Sequence, residues 1–90
     1  MIFCSLYSGS SGNSIFIGDK ESKILIDAGM PGKKIDEAMK SIGQDPSKLD
    51  GIFITHEHSD HIKGVGIISR KYDVPIYAND KTWAAMESSI

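Results

Sequence analysis

The sequence predicts a mixed α/β (α+β) chain with its elements in the order β-β-β-α-β-α-β-α. Three observations lead there. Residues 1–27 hold three short apolar runs separated by polar turns. Between residues 31 and 42 the apolar spacing changes from that of strands to that of a helix. Beyond residue 50, strand-like and helix-like runs alternate, which calls for a sheet that is partly parallel.

Residues 2–7, 14–18 and 23–27 read as strands joined by short turns, an antiparallel meander. The first turn, Ser8-Gly9-Ser10-Ser11-Gly12-Asn13, is rich in glycine and serine. Ile35, Ala38, Met39 and Ile42 then fall at i, i+3, i+4 and i+7, one face of a helix over residues 31–42. Pro31 suits its first turn, and Gly43 suits the position just past its end. Asp45-Pro46 breaks the chain. Residues 51–55 form a short run with β-branched and aromatic members, predicted to be a strand buried on both faces. Residues 61–72 carry Ile62, Val65, Ile68 and Tyr72 near one stripe, a second helix despite Gly64 and Gly66. Residues 74–77 make a last strand, and Asn79 is placed to cap a helix over residues 80–88.

The bulk properties narrow the function classes. The 90 residues are 40% hydrophobic and 24% charged, an ordinary globular balance. The formal net charge is −2, so the basic footprint of a broadly electrostatic nucleic-acid binder is missing, while a local basic face stays open. There is neither a run of the ~20 apolar residues a membrane span needs nor a secretory leader pattern, which predicts a cytoplasmic protein with no membrane partner. The one cysteine, Cys4, excludes an internal disulfide and reads as a small buried hydrophobe in the first strand.

The chemistry concentrates in His56-Glu57-His58-Ser59-Asp60-His61. All three histidines of the chain lie there. His56 and His58 are two apart at the end of a strand, where residues i and i+2 point to the same side and can reach one ion. Asp60 and His61 follow where the strand gives way to a helix, so that pair can aim at a neighbouring point. Imidazole and carboxylate suit zinc, and also iron or manganese. Such a cluster adds nothing to packing and would be costly if buried without partners. Strand C-terminal ends are also where open α/β sheets place their ligands.

Thr55-His56-Glu57-His58-Ser59-Asp60-His61 resembles the H-x-H-x-D-H signature of the metallo-β-lactamase superfamily. That resemblance implies the N-terminal portion of an αββα sandwich and two divalent metal ions, zinc first, with manganese or iron as alternatives. His56 and His58 would bind one ion, and Asp60 with His61 the other. A water or hydroxide between the ions would attack the substrate, with Asp60 the catalytic residue orienting it. Asp27, in Ile24-Leu25-Ile26-Asp27-Ala28-Gly29, matches a superfamily position whose carboxylate supports the metal loop from behind the ligands. The opening Ser5-Leu6-x-Ser8-Gly9-Ser10-Ser11-Gly12-Asn13-Ser14 is similar to the WalJ (YycJ)-like branch, regarded as DNA exonucleases. There the loop lies near the metals, which implies Ser11 and Asn13 as substrate phosphate contacts. The implied function is a metal-dependent phosphodiesterase, a DNA exonuclease, with nucleic acid as substrate. A thioesterase or lactonase of the same fold is the alternative, as is a catalytically inactive fragment or interaction domain.

The same resemblance implies further ligands: a third histidine, a bridging aspartate and a final histidine, all later in the chain. No histidine follows His61, and superfamily domains run to about twice this length with a second sheet layer. Residues 1–90 are therefore expected to be an incomplete, N-terminal part of such a domain, inactive alone and prone to self-association through exposed strand edges. Catalytic zinc usually has three protein ligands. Calorimetric titration of the isolated chain with zinc should accordingly show weak uptake or none, and tight stoichiometric binding would contradict the expectation of a half-built site.

Overall fold

The first 26 residues form a meander because three short apolar runs are separated by polar turns. The structure, a computed structural model, describes residues 2–7, 12–55, 62 and 64–86. Strand β1 (Ile2–Tyr7) pairs antiparallel with β2 (Ser14–Gly18), and β2 pairs antiparallel with β3 (Lys23–Ile26). The β2–β3 turn is closed by Asp19, whose carboxylate accepts from the Glu21 and Ser22 amides at 2.8 Å each. Helix α1 (Gly32–Ser41) follows. Pro31 stands at its N-cap, one position earlier than predicted, with φ −52° and ψ 142°. Gly43 takes φ 75° and its amide donates to the Lys40 carbonyl, which stops the helix where the sequence placed the stop.

A 3-10 turn over Pro46–Lys48 was not foreseen from the chain break at Asp45-Pro46. Asp45 caps it, accepting from the Ser47 amide at 2.9 Å and the Ser47 hydroxyl at 2.8 Å. Strand β4 (Gly51–Phe53) then adds parallel to β3, and β5 (Ile76–Tyr77) parallel to β4. Helix α2 (Val65–Tyr72) connects them, and α3 (Asp80–Met86) follows β5, with Asn79 Oδ1 accepting from the Thr82 amide as its predicted cap. The described residues thus give the predicted α/β order, with a five-stranded sheet ordered β1-β2-β3-β4-β5. None of the described helices is long and apolar enough to cross a membrane.

The core lies on one face of the sheet. Phe16, Leu25 and Ile52 stand side by side across β2, β3 and β4 and are fully buried. Ile35 and Met39 of α1 and Val65 and Ile68 of α2 pack into the same cluster. The prediction that β4 is buried on both faces is corrected. Ile52 and Ile54 are buried, but Phe53 points to the opposite face and is 40% exposed. There it stacks on Tyr77 of β5, with ring centroids 4.8 Å apart. Strand alternation splits the two faces, and the buried cluster occupies only the first. Cys4 is half-buried rather than buried.

The two main helices are also joined by a charged contact. Asp36, on the buried side of α1, accepts a hydrogen bond from the Tyr72 hydroxyl at the end of α2 and from Lys71 Nζ at 3.2 Å and Lys40 Nζ at 3.3 Å. Burial pushes its carboxyl upward, but the bonds from Tyr72, Lys71 and Lys40 together outweigh burial and hold it below the usual carboxylate range. The two lysines are more than half exposed, so Tyr72 supplies most of the value of the cluster. A depressed carboxyl stabilises the fold above the ordinary carboxylate range, and that contribution is lost as pH falls through the folded-state value. Asp36→Ala should lower stability by about 1–3 kcal/mol near neutral pH in urea unfolding. The gap from the unsubstituted chain should shrink as the pH is taken below about 4.

Candidate metal-loop site

The site is built from the ends of three strands. Asp27 follows β3 directly, and its amide donates to the Phe53 carbonyl at 2.8 Å, extending the ladder to β4 by one bond. Its backbone then turns to φ 63°, in the left-handed region, so the predicted strand over residues 23–27 ends one residue early. Aspartate tolerates that region better than most side chains. The turn lays the carboxylate across the end of β4. Oδ1 accepts from the Thr55 amide at 2.8 Å, and Oδ2 accepts from the Thr55 hydroxyl at 2.6 Å. Asp27 is 5% exposed, so these bonds form largely out of water.

The loop that begins at Asp27 holds a second point as well. The Gly64 amide donates to the Ala28 carbonyl at 2.6 Å. Gly64 approaches so closely that a Cβ there would lie 2.3 Å from the Met30 carbonyl oxygen and 2.7 Å from Ile35 Cδ1. A third strand end joins through Asn13, whose carbonyl accepts from the Gly29 amide at 2.9 Å. Gly12 beside it has φ 153°, and a Cβ there would meet Met30 Sδ at 2.2 Å. Residues 27–30 therefore grip Thr55 on one side of the histidine segment and Gly64 on the other, and hold the end of the serine-glycine loop at Asn13.

His56, His58, Asp60, His61 and Ser11 lie outside the described residues. Of the residues singled out from the sequence, Asp27 and Asn13 are described, and both line a cavity of about 300 Å³ that also touches Thr55. Among the described residues alone, no three His, Cys, Asp or Glu side chains gather closely enough to hold an ion. Thr55 carries no expectation from the sequence, whereas Gly64 inside a helical stripe points to close packing against a neighbour, which the structure shows. A hydroxyl directly before the first histidine and a glycine inside a helical stripe are the marks they leave. Neither mark names a partner, because the partners lie 28 residues away for Thr55 and 36 for Gly64.

A strand-end carboxylate, a strap on each side of a histidine segment and this strand order define a metallo-hydrolase-type frame. The chain belongs to the metallo-β-lactamase superfamily, which it matches over residues 7–89. It is 56% identical over 84 residues to the exodeoxyribonuclease WalJ of Streptococcus pneumoniae, covering 93% of this chain and 31% of that protein. It is 51% identical over 88 residues to the exodeoxyribonuclease YycJ of Bacillus anthracis, covering 98% and 33%. The chain thus spans about a third of the length of the curated relatives it matches. Among solved structures, the subclass B3 metallo-β-lactamase of Bradyrhizobium japonicum superposes with a TM-score of 0.74 at 23% identity, over 80% of this chain and 28% of that one. That likeness establishes the shared fold.

Removing the Asp27 carboxylate leaves the Thr55 amide and hydroxyl without this acceptor. Asp27→Ala should cost about 1–3 kcal/mol. Hydrogen exchange should show the Thr55 amide losing protection well beyond the change at the Ile52 amide in mid-strand. Equal loss at both positions would mean that Asp27 supports the whole sheet and has no special hold on its end.

Proposed function

We propose that the protein is a metal-dependent phosphodiesterase, a DNA exonuclease, and that this chain contributes its first metal-binding loop. The observation that carries this is the 51–56% identity to two exodeoxyribonucleases over nearly the whole chain, the serine-glycine loop and the histidine motif included. A thioesterase or lactonase would share the histidine motif; the serine-glycine loop favours the nuclease branch.

The donor set fits divalent metal ions. Three imidazoles and a carboxylate within six residues are ligand types suited to zinc, with manganese and iron as alternatives. His56 and His58 would hold one ion, and Asp60 with His61 a second. When bound, the ions supply Lewis acidity and lower the pKa of water to about 7. The chain's own residues do the positioning. Asp27 holds Thr55, the residue before His56, and Ala28 holds Gly64, three residues after His61. Asp60 would orient the attacking water. Ser11 and Asn13 contact the substrate phosphate, with backbone N–H groups of the loop adding donors. Nucleic acid is the partner, and the work is done in the cytoplasm. Self-association of the chain through strand edges is a further property we propose for it in isolation.

The intact protein should degrade linear DNA and leave small thioesters and lactones unchanged. His58→Ala should reduce cleavage by more than the roughly 10–100-fold that losing an outer partner of a metal ligand costs, with its circular dichroism unaltered. Thioester or lactone turnover without DNA cleavage would overturn the nuclease assignment, and full activity in His58→Ala would remove the metal loop from the mechanism.

A further inference from the structure

We infer that the outward face of the α1–α2 pair is a track for the phosphate backbone of DNA beyond the cut site, with Lys33, Lys40, Arg70 and Lys71 as its cations. This rests on the nuclease function proposed above. The chain holds ten Lys and Arg and twelve Asp and Glu, but not evenly. Helices α1 and α2 carry Lys33, Lys34, Lys40, Arg70 and Lys71 against Asp36 and Glu37. That leaves five cations and ten carboxylates for the rest of the chain. All five helix cations are exposed, while of the two carboxylates Asp36 is buried and Glu37 is exposed. The two helices thus form a local basic face on a chain whose net charge is −2.

Three observations favour an extended phosphate chain on this face. First, the face leads away from the metal loop. Helix α1 starts directly after Met30, and Gly64, held by Ala28, caps α2. Gly32 lies against Ile67 at the start of the pair, and Asp36 meets Lys71 and Tyr72 further on, so the helices run side by side in one direction. Second, the cations are spaced along that direction. Lys33 and Lys40 are two helical turns apart on α1, about 10 Å, or roughly three phosphate steps of a strand. Arg70 Nη1 lies 2.9 Å from where a Cβ on Gly66 would stand, so its guanidinium is folded back one turn toward the metal loop. Third, two of the cations are held ready. Lys40 and Lys71 both donate to Asp36 Oδ2, at 3.3 and 3.2 Å, so two ammonium groups share one carboxylate oxygen and their charge is half balanced. The bond to Asp36 also raises Lys71 above its ordinary range, which keeps it charged. Both side chains stay more than half exposed, with N–H donors to spare. Ile67 is the one large apolar side chain exposed on the pair, whereas a helix lying on lipid presents a whole apolar face.

The test uses the intact protein with its metals and a single-stranded oligonucleotide long enough to reach past the metal site. Phosphorothioate linkages at its ends let it bind without being degraded. Binding is followed by fluorescence anisotropy over a range of salt concentrations. Lys33→Gln combined with Arg70→Gln should flatten the plot of log affinity against log salt by about 1.4, roughly 0.7 for each lost phosphate contact. Lys20→Gln combined with Lys48→Gln removes the same charge elsewhere and should leave the slope near that of the unsubstituted protein. An unchanged slope in the first pair overturns the track. Equal flattening in both pairs overturns it too, because net charge alone would then account for the effect. On the unsubstituted protein, an oligonucleotide too short to leave the metal site should give a flatter plot. Equal slopes for the short and long strands overturn the track with no variant needed. Vesicles of phosphatidylglycerol held more tightly than DNA through Lys33 and Arg70 would make the face a lipid surface instead. If the intact protein cleaves no DNA, the nuclease function falls separately, and the difference in slope between the two pairs still decides whether this face binds phosphates.

Discussion

The double hydrogen bond from Asp27 to Thr55 is the constraint on which the functional end of this structure depends. One carboxylate satisfies both the amide and the hydroxyl of a residue at the end of a neighbouring strand. It can do so because the backbone at Asp27 turns into the left-handed region at the moment β3 ends. A continued strand would carry that side chain along the sheet rather than across it. The bond therefore couples three things that are separate in sequence: the length of β3, the exit angle of β4, and the starting point of the histidine segment.

The same loop sets the other end of that segment through a different kind of contact. Thr55 is held by directed, charge-assisted bonds. Gly64 is held by close approach, where the absence of a side chain lets its amide reach Ala28 under the Met30 carbonyl. The helix that follows is pressed on α1, since a Cβ on Gly32 would lie 2.7 Å from Ile67 Cγ2, and Asp36 ties the middle of α1 to Tyr72 at the end of α2. Thr55 and Gly64 are thus both held from residues 27–30, one before and one after the histidine segment.

Much of this frame is legible in the sequence, and what is not has a common cause. The short apolar runs Ile15-Phe16-Ile17 and Ile24-Leu25-Ile26, separated by a polar turn, give the meander. The spacing of Ile35, Ala38, Met39 and Ile42 gives α1, with Gly43 marking its end. The histidine motif is visible as a string of residue types, and its chemistry follows from them. The partner of Asp27 and the neighbour that Gly64 packs against are not visible, because contacts across 28 or 36 residues leave no periodic trace. The burial of β4 was misjudged for a related reason. Gly51-Ile52-Phe53-Ile54 is apolar on both faces, and composition cannot tell whether the second face has a neighbour. Phe53 stacks on Tyr77 of β5 at the sheet surface and stays 40% exposed.

The two rims of the sheet bear on how the chain behaves when crowded. β1 forms one rim, and its extra residue at Leu6 breaks the regular spacing of ladder groups. β5 forms the other, and it is two residues long and preceded by Pro75, which has no amide to donate. Neither rim offers the long, flat template on which strands from many molecules add in register. Pairing between molecules at these rims is therefore confined to short stretches of ladder.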